Sequence, residues 1–251
     1  MIKNIDKFIT ACRKRFGSRL ISIIAHGSGI FETDYWDIND YDLVVVLKNK
    51  QFLTKDIKVI NSIIKSIKIE IDLDLQLFYL EELPSNADLY SQNTNGCFFA
   101  WHLRGSVLLY GQNIFDLMIG PSQYQVRLSL LQKIRQYAHV IRKMNISGRP
   151  ITSKEEAHVL IKFLFKMIKD TLMIEGILEQ NKKKSILLIQ KMCPKMFKKK
   201  DLQFLFRLNS NENIWKEKEN FLSWTMNISE KIYQNALSFA CLNMRFKRLK
   251  L

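Results

Sequence analysis

Cysteine is scarce in this chain of 251 residues, and the four that occur (Cys12, Cys97, Cys193 and Cys241) lie far apart. There is no Cys-x-x-Cys pair and no histidine at a zinc-ligand spacing from a cysteine, so a zinc ribbon is not expected. The four read as reduced, buried residues. Long apolar runs are missing too: no stretch of about 18 uncharged apolar residues occurs, so no membrane-spanning helix and no membrane partner are expected. The opening segment MIKNIDKFITACRKRF interleaves charges with apolar residues instead of building a signal-peptide core. A cytoplasmic location follows as the expectation. No internal repeat or low-complexity segment stands out beyond the lysine runs Lys182–Lys184 and Lys198–Lys200.

Acidic residues are in short supply in one half only. Residues 1–120 carry 13 Lys+Arg against 14 Asp+Glu, whereas residues 121–251 carry 26 against 10, so nearly all of the net charge of +15 belongs to the second half. With 47% hydrophobic and 25% charged residues there is ample material for one large or two modest cores. The asymmetry argues for two domains, 1–120 and 121–251. The second then either faces an anionic partner or carries solvated lysine-rich helix faces.

What is present is patterned clearly. Ile2, Ile5, Phe8, Ile9 and Cys12 mark an amphipathic helix. Leu20–Ala25 and Asp40–Leu47 read as buried strands, and Thr54 reads as the cap of a helix running to Ile67. From Ile69 to Leu77 apolar and polar residues alternate strictly, with Glu70, Asp72 and Asp74 on one face. Gly105–Gly111 reads as a short strand between glycines. Beyond Gly120-Pro121 the periodicity is helical throughout: Val126–Met144, Glu155–Leu178 behind a capping box at Thr152 or Ser153, Lys183–Met192, Leu202–Phe206 and Trp215–Leu242. The expected fold class is α+β, a mixed-sheet domain followed by an all-α helical bundle.

The stretch Leu20–Leu47 carries the chemistry. It closes one apolar run with Gly27-Ser28 and opens the next with Asp40 and Asp42. Carboxylates at i and i+2 of a strand leave the same face about 6.6 Å apart, a spacing suited to hard cations. A Gly-Ser loop offers backbone N–H groups and a hydroxyl to phosphate oxygens. In-line displacement at phosphorus by two metal ions about 3.5–4 Å apart also needs a further carboxylate. Asp72 or Asp74 supplies it if the third strand neighbours the second, which is the usual relation of sequential strands.

These residues resemble the motifs of the DNA polymerase β-like nucleotidyltransferase superfamily. Within it, the chain looks like the small bacterial enzymes that include aminoglycoside, lincosamide and minimal nucleotidyltransferases. GSVLLYG at 105–111 resembles a segment these proteins often carry before their helical domain. The resemblance implies that Gly27 and Ser28 hold the triphosphate of ATP or another NTP, and that Asp40 and Asp42 bind two Mg2+ ions. Asp74 is favoured over Asp72 as the third catalytic and metal-binding acid, because Leu75–Leu77 and Glu81-Glu82-Leu83 follow it as they do in relatives. The implied activity is magnesium-dependent transfer of a nucleoside monophosphate, AMP foremost, to a hydroxyl, with release of pyrophosphate. The acceptor stays open. A small molecule such as an aminoglycoside-like antibiotic suits the acids Glu32, Asp34, Asp37, Glu70, Asp72 and Asp74, while the basic half suits RNA or protein, as in a toxin–antitoxin or regulatory transferase.

Other residues take plainer readings. His26 reads as half-buried beside the site, and His102, His139 and His158 have no role assigned. Lys162, Lys166 and Lys169 share a helix face that relatives turn toward the triphosphate, or that is simply solvated. Phe31, Tyr35 and Trp36 either stack on the acceptor or pack their loop.

Overall fold

The computed structural model describes residues 5–27, 40–49, 52–67, 72–83, 106–118, 121–148, 150–210 and 212–248. They form two compact units, one of the described residues within 5–83 and 106–118 and one of those within 121–248. The first is a mixed four-stranded sheet with helices and the second is mostly helical, so the architecture is α+β.

In the first unit α1 (Ile5–Phe16) leads into β1 (Leu20–His26), followed by β2 (Asp40–Leu47), α2 (Leu53–Ser66), β3 (Asp72–Tyr79) and β4 (Val107–Gly111). The sheet order is β3-β2-β1-β4, with β2 parallel to β3 and β1 antiparallel to both β2 and β4. The parallel pair follows from α2, which serves as the crossover that a parallel connection requires. Residues alternate across each strand, so Leu43, Val45 and Leu47 join Ile23 and Ala25 in a core shared with Ile5, Phe8, Cys12 and Phe16 of α1 and Ile60 and Ile63 of α2. Leu73, Leu75 and Leu77 pack against that core. Burial of each such Leu, Ile or Phe is worth about 1.5–3 kcal/mol, which makes the helix-covered face the one that sets the strand register.

A buried polar network clips this unit together. Arg19, just before β1, forms a bidentate pair with Asp56 of α2 at 2.9 and 2.7 Å and donates to the Asn49 carbonyl at 3.0 Å. The Tyr79 hydroxyl donates to the same carboxylate at 3.1 Å. Asp56 is 1% exposed, so its charge depends on these partners. At the far edge of β1, Gly111 adopts φ +83°, and a Cβ there would lie 2.0 Å from the Ile21 carbonyl oxygen. Only glycine admits that approach.

The second unit holds α3 (Gln123–Ile146), α4 (Lys154–Ile174), α5 (Lys182–Met192), α6 (Lys199–Ser210) and α7 (Phe221–Arg248), with a 3-10 segment at Glu212–Glu217. α3, α4 and α7 pack on one another around Leu130, Ile134, Leu160, Leu164, Ile228 and Ile232, all fully buried. A bidentate pair of Arg142 on α3 with Glu230 on α7, at 2.6 Å for Nη2, ties two of them.

Several boundaries differ from expectation. α1 continues to Phe16, while its expected first residues lie outside those described. α2 starts at Leu53 with Phe52 in the cap position and no side-chain cap, so Thr54 sits inside the first turn. α3 begins earlier, because Ser122 and Gln125 form a capping box. Ser153, not Thr152, caps α4, and its partner is Glu156. α4 stops at Ile174: Gly176 at φ +79° and the bonds Gly176 N–H to Met173 O and Ile177 N–H to Leu172 O close a Schellman turn. α6 is longer than expected and α7 starts at Phe221. β3 extends to Tyr79, and the expected start at Ile69 lies outside the described residues. Cys12 and Cys193 are buried as expected, whereas Cys241 is exposed on α7, and Cys97 is outside the described residues.

Candidate active site

The site forms where β1 ends and β2 and β3 begin. β2 and β3 pair in parallel with Asp42 opposite Asp74 and Asp40 opposite Asp72, while His26 of β1 pairs with Asp42 from the other side. Neighbouring strands run about 4.8 Å apart, so Asp42 and Asp74 stand one strand spacing from each other. The flanking Leu43 and Leu75 point into the helix-covered core, which turns Asp42 and Asp74 to the opposite face. Asp74 is exposed there, and Asp42 and His26 are half-buried. Val44 and Val46 continue that face of β2 as fully buried residues, so the polar rim at Asp42 borders an apolar floor.

Gly27 closes the rim from the β1 side. Its φ is +78°, and a Cβ built on it would fall 1.8 Å from Oδ2 of Asp42. No side chain fits between the end of β1 and this carboxylate. The missing Cβ lets the Asp42 carboxylate lie directly against the backbone at the end of β1.

Each expected site residue is thereby located or set aside. Gly27, Asp42 and Asp74 come together, and Asp40 and Asp72 occupy the next register pair of the same strands, with their side chains outside the described residues. Ser28 lies outside the described residues, as do Glu32, Asp34, Asp37, Glu70, Phe31, Tyr35, Trp36 and His102. Among the described residues no three His, Cys, Asp or Glu side chains gather into a metal-sized group. The donor chemistry still suits a hard cation, since carboxylate oxygens on adjacent strands are what Mg2+ takes. On α4, Lys162 is exposed and Lys166 and Lys169 are half-buried, all three engaged in interactions. Sequence reasoning missed the Arg19–Asp56–Tyr79 network, whose members are 37 and 23 positions apart. Burial together with the Asp56 hydrogen bond pushes the Tyr79 hydroxyl up to about 12.

Comparison with known proteins bears on the fold. The chain is similar in structure to the spectinomycin adenyltransferase AAD(9) from Enterococcus faecialis, solved with ATP and spectinomycin. The TM-score is 0.63 at 17% identity, over 91% of this chain and 98% of that one. A nucleotidyltransferase-like protein from Exiguobacterium sibiricum aligns over 91% of this chain and 74% of its own length at 13% identity, with a TM-score of 0.29 that carries no weight. No protein-family model and no curated sequence matches the chain. The chain shares the fold of that adenyltransferase. Its elements run from the N-terminal sheet through the helical unit, since the similarity covers nearly the whole of both chains.

Proposed function

We propose that the chain is a magnesium-dependent nucleotidyltransferase that moves AMP from ATP to a hydroxyl of a small acceptor of the aminoglycoside or aminocyclitol kind. The observation that carries this reading is the parallel register that sets Asp42 against Asp74, with glycine the only residue that fits beside Asp42. The domain at 1–120 is the catalytic one and that at 121–251 supplies acceptor contacts. Asp40, Asp42 and Asp74 would hold two Mg2+ ions, which neutralise the triphosphate and align it. The acceptor oxygen bonds to the α-phosphorus as the bond to pyrophosphate breaks, and the acceptor's proton passes to a carboxylate on β3, Asp74 ahead of Asp72. Gly27 and Ser28 bind phosphate oxygens through backbone N–H groups and the hydroxyl. The similar adenyltransferase was solved with ATP and spectinomycin, which supports ATP as donor and a small antibiotic as acceptor here.

The charge distribution favours a second reading, a regulatory or toxin–antitoxin transferase whose acceptor is a tRNA or a protein. The test is to incubate the chain with each labelled triphosphate, Mg2+, and spectinomycin, aminoglycosides, total tRNA or cell lysate. Labelled antibiotic with Asp42→Ala inactive supports the first reading. Labelled tRNA or protein supports the second, and unchanged pyrophosphate release by Asp42→Ala would sink the site.

A further inference from the structure

A second concave feature lies wholly inside the helical unit and contains none of the strand carboxylates. It is an open cleft of about 550 Å³ between α6 and the segment that follows it, lined by Lys200, Gln203, Phe204, Phe206, Arg207, Glu217 and Lys218. Three cations face one anion. The Arg207–Glu217 contact of 2.6 Å joins side chains that are 54% and 50% exposed. Exposed pairs of this kind hold weakly, so a phosphate can take over the guanidinium without a large loss.

The floor of the cleft is packed from behind. Phe204 is buried and meets Trp224 edge-on at 4.7 Å. Lys218 Nζ stands 5.3 Å from the centre of the Phe204 ring and 5.8 Å from that of Trp224. The two rings pin the ammonium at the cleft instead of leaving it to wander in solvent. Phe206, half-buried on the same helix, gives the wall an aromatic component. Cations along a groove whose wall carries a partly exposed ring, here Phe206, form the combination that tracks a sugar-phosphate strand.

Length and charge select the ligand. Exposed Lys198 and Lys199 adjoin Lys200 in sequence at the start of α6, and residues 121–251 carry 26 Lys+Arg against 10 Asp+Glu. A single nucleotide would fill the cleft and leave the flanking lysines unused. A flat lipid surface would not enter a concave site. We propose that this cleft is a docking site for single-stranded nucleic acid, independent of the transferase reading of the first unit.

The test measures binding of a short labelled oligouridylate to the full chain by fluorescence anisotropy across a salt series. Three phosphate contacts to a single strand correspond to a slope of log K against log salt of about −2. Lys200→Glu with Arg207→Glu should weaken binding at least tenfold and flatten the slope to about −0.7, the value for one remaining contact. Gln203→Lys adds a cation on the same wall and should tighten and steepen the binding, which keeps the test usable if the double variant fails to fold. ATP stoichiometric with the strand should not displace it. The proposal is overturned by a flat salt response, by wild-type affinity in the double variant, by displacement at stoichiometric ATP, or by tighter binding to phosphatidylserine vesicles than to the strand. Retention of strand binding in Asp42→Ala, whatever that variant does to pyrophosphate release, separates this site from the transferase reading.

Discussion

Gly27 and Asp42 are in direct apposition: the Cβ that Gly27 lacks would fall 1.8 Å from the Asp42 carboxylate oxygen Oδ2. The end of one strand and the beginning of the next are thus in contact at the atoms proposed to do the chemistry.

Replacing Gly27 with Ala should displace the Asp42 carboxylate, because a side-chain end moves more readily than two paired strands. A misplacement of about 1 Å at a reacting centre costs on the order of a hundredfold in rate. The positive φ adds strain of about 1–3 kcal/mol. Turnover should therefore fall further than thermal stability, a comparison made by measuring pyrophosphate release and the melting temperature of the same preparation.

Asp74→Asn and Asp72→Asn separate the two candidates for the third carboxylate. Loss of the proton acceptor should lower kcat by about 10²–10⁴, and the larger loss is expected at Asp74, the register partner of Asp42. A larger loss at Asp72 would move the proton acceptor to the other register pair.

Asp56→Ala should destabilise the first unit without touching the site. It removes the partner of Arg19 at 2.7 Å and leaves the partly exposed guanidinium with the Asn49 carbonyl, which costs about 1.5–3 kcal/mol. Tyr79→Phe loses one hydrogen bond to the same carboxylate and should cost about 1 kcal/mol. Urea unfolding reads both, and an activity loss larger than the unfolded fraction would show that the network also shapes the site.

Alkaline pH should unfold the protein through two buried groups. Burial raises the Cys12 thiol from 9.0 to about 12, and burial with the Asp56 bond raises Tyr79 from 10.0 to about 12. Each keeps its proton more firmly in the folded state, so its stabilisation is complete below its unfolded value and is lost as pH rises toward 12. Stability should fall from about pH 9 upward. Cys12→Ala should delay the onset, moving the start of the fall toward pH 10. In the native protein at neutral pH a thiol reagent should modify Cys241, which is exposed, and spare Cys12, which is buried.

How much of this was legible depends on how local each cause is. The alternation Asp72-Leu73-Asp74-Leu75 names a strand and its faces from adjacent residues alone, and the structure keeps it. Gly176 can be read as a helix stop, yet the apolar residues Ile177 and Leu178 extend the periodicity past it and hide the Schellman turn. The break between Glu212–Glu217 and α7 is invisible for the same reason: Trp215, Phe221 and Trp224 are all buried, so their spacing looks continuous until Asn220 turns to φ +55°. The pairing of Asp42 with Asp74 needs the sheet order, and the Arg19–Asp56–Tyr79 cluster needs three elements to meet, so neither is written in any short window. The lysine runs fall at the starts of α5 and α6, where the helix dipole disfavours cations, and composition alone does not say which end of a helix they occupy.

The parallel pairing of β2 with β3 has a consequence beyond catalysis. Side chains repeat every two residues along a strand, so a slip of one position would drive Asp72 and Asp74 into the leucine-lined core and lift Leu73 and Leu75 out of it. The carboxylates therefore proofread the assembly of their own sheet. A chain with these acids replaced by alanine would lose the penalty that forbids misaligned strands, so such variants should fold to a less uniform sheet even where their measured stability rises.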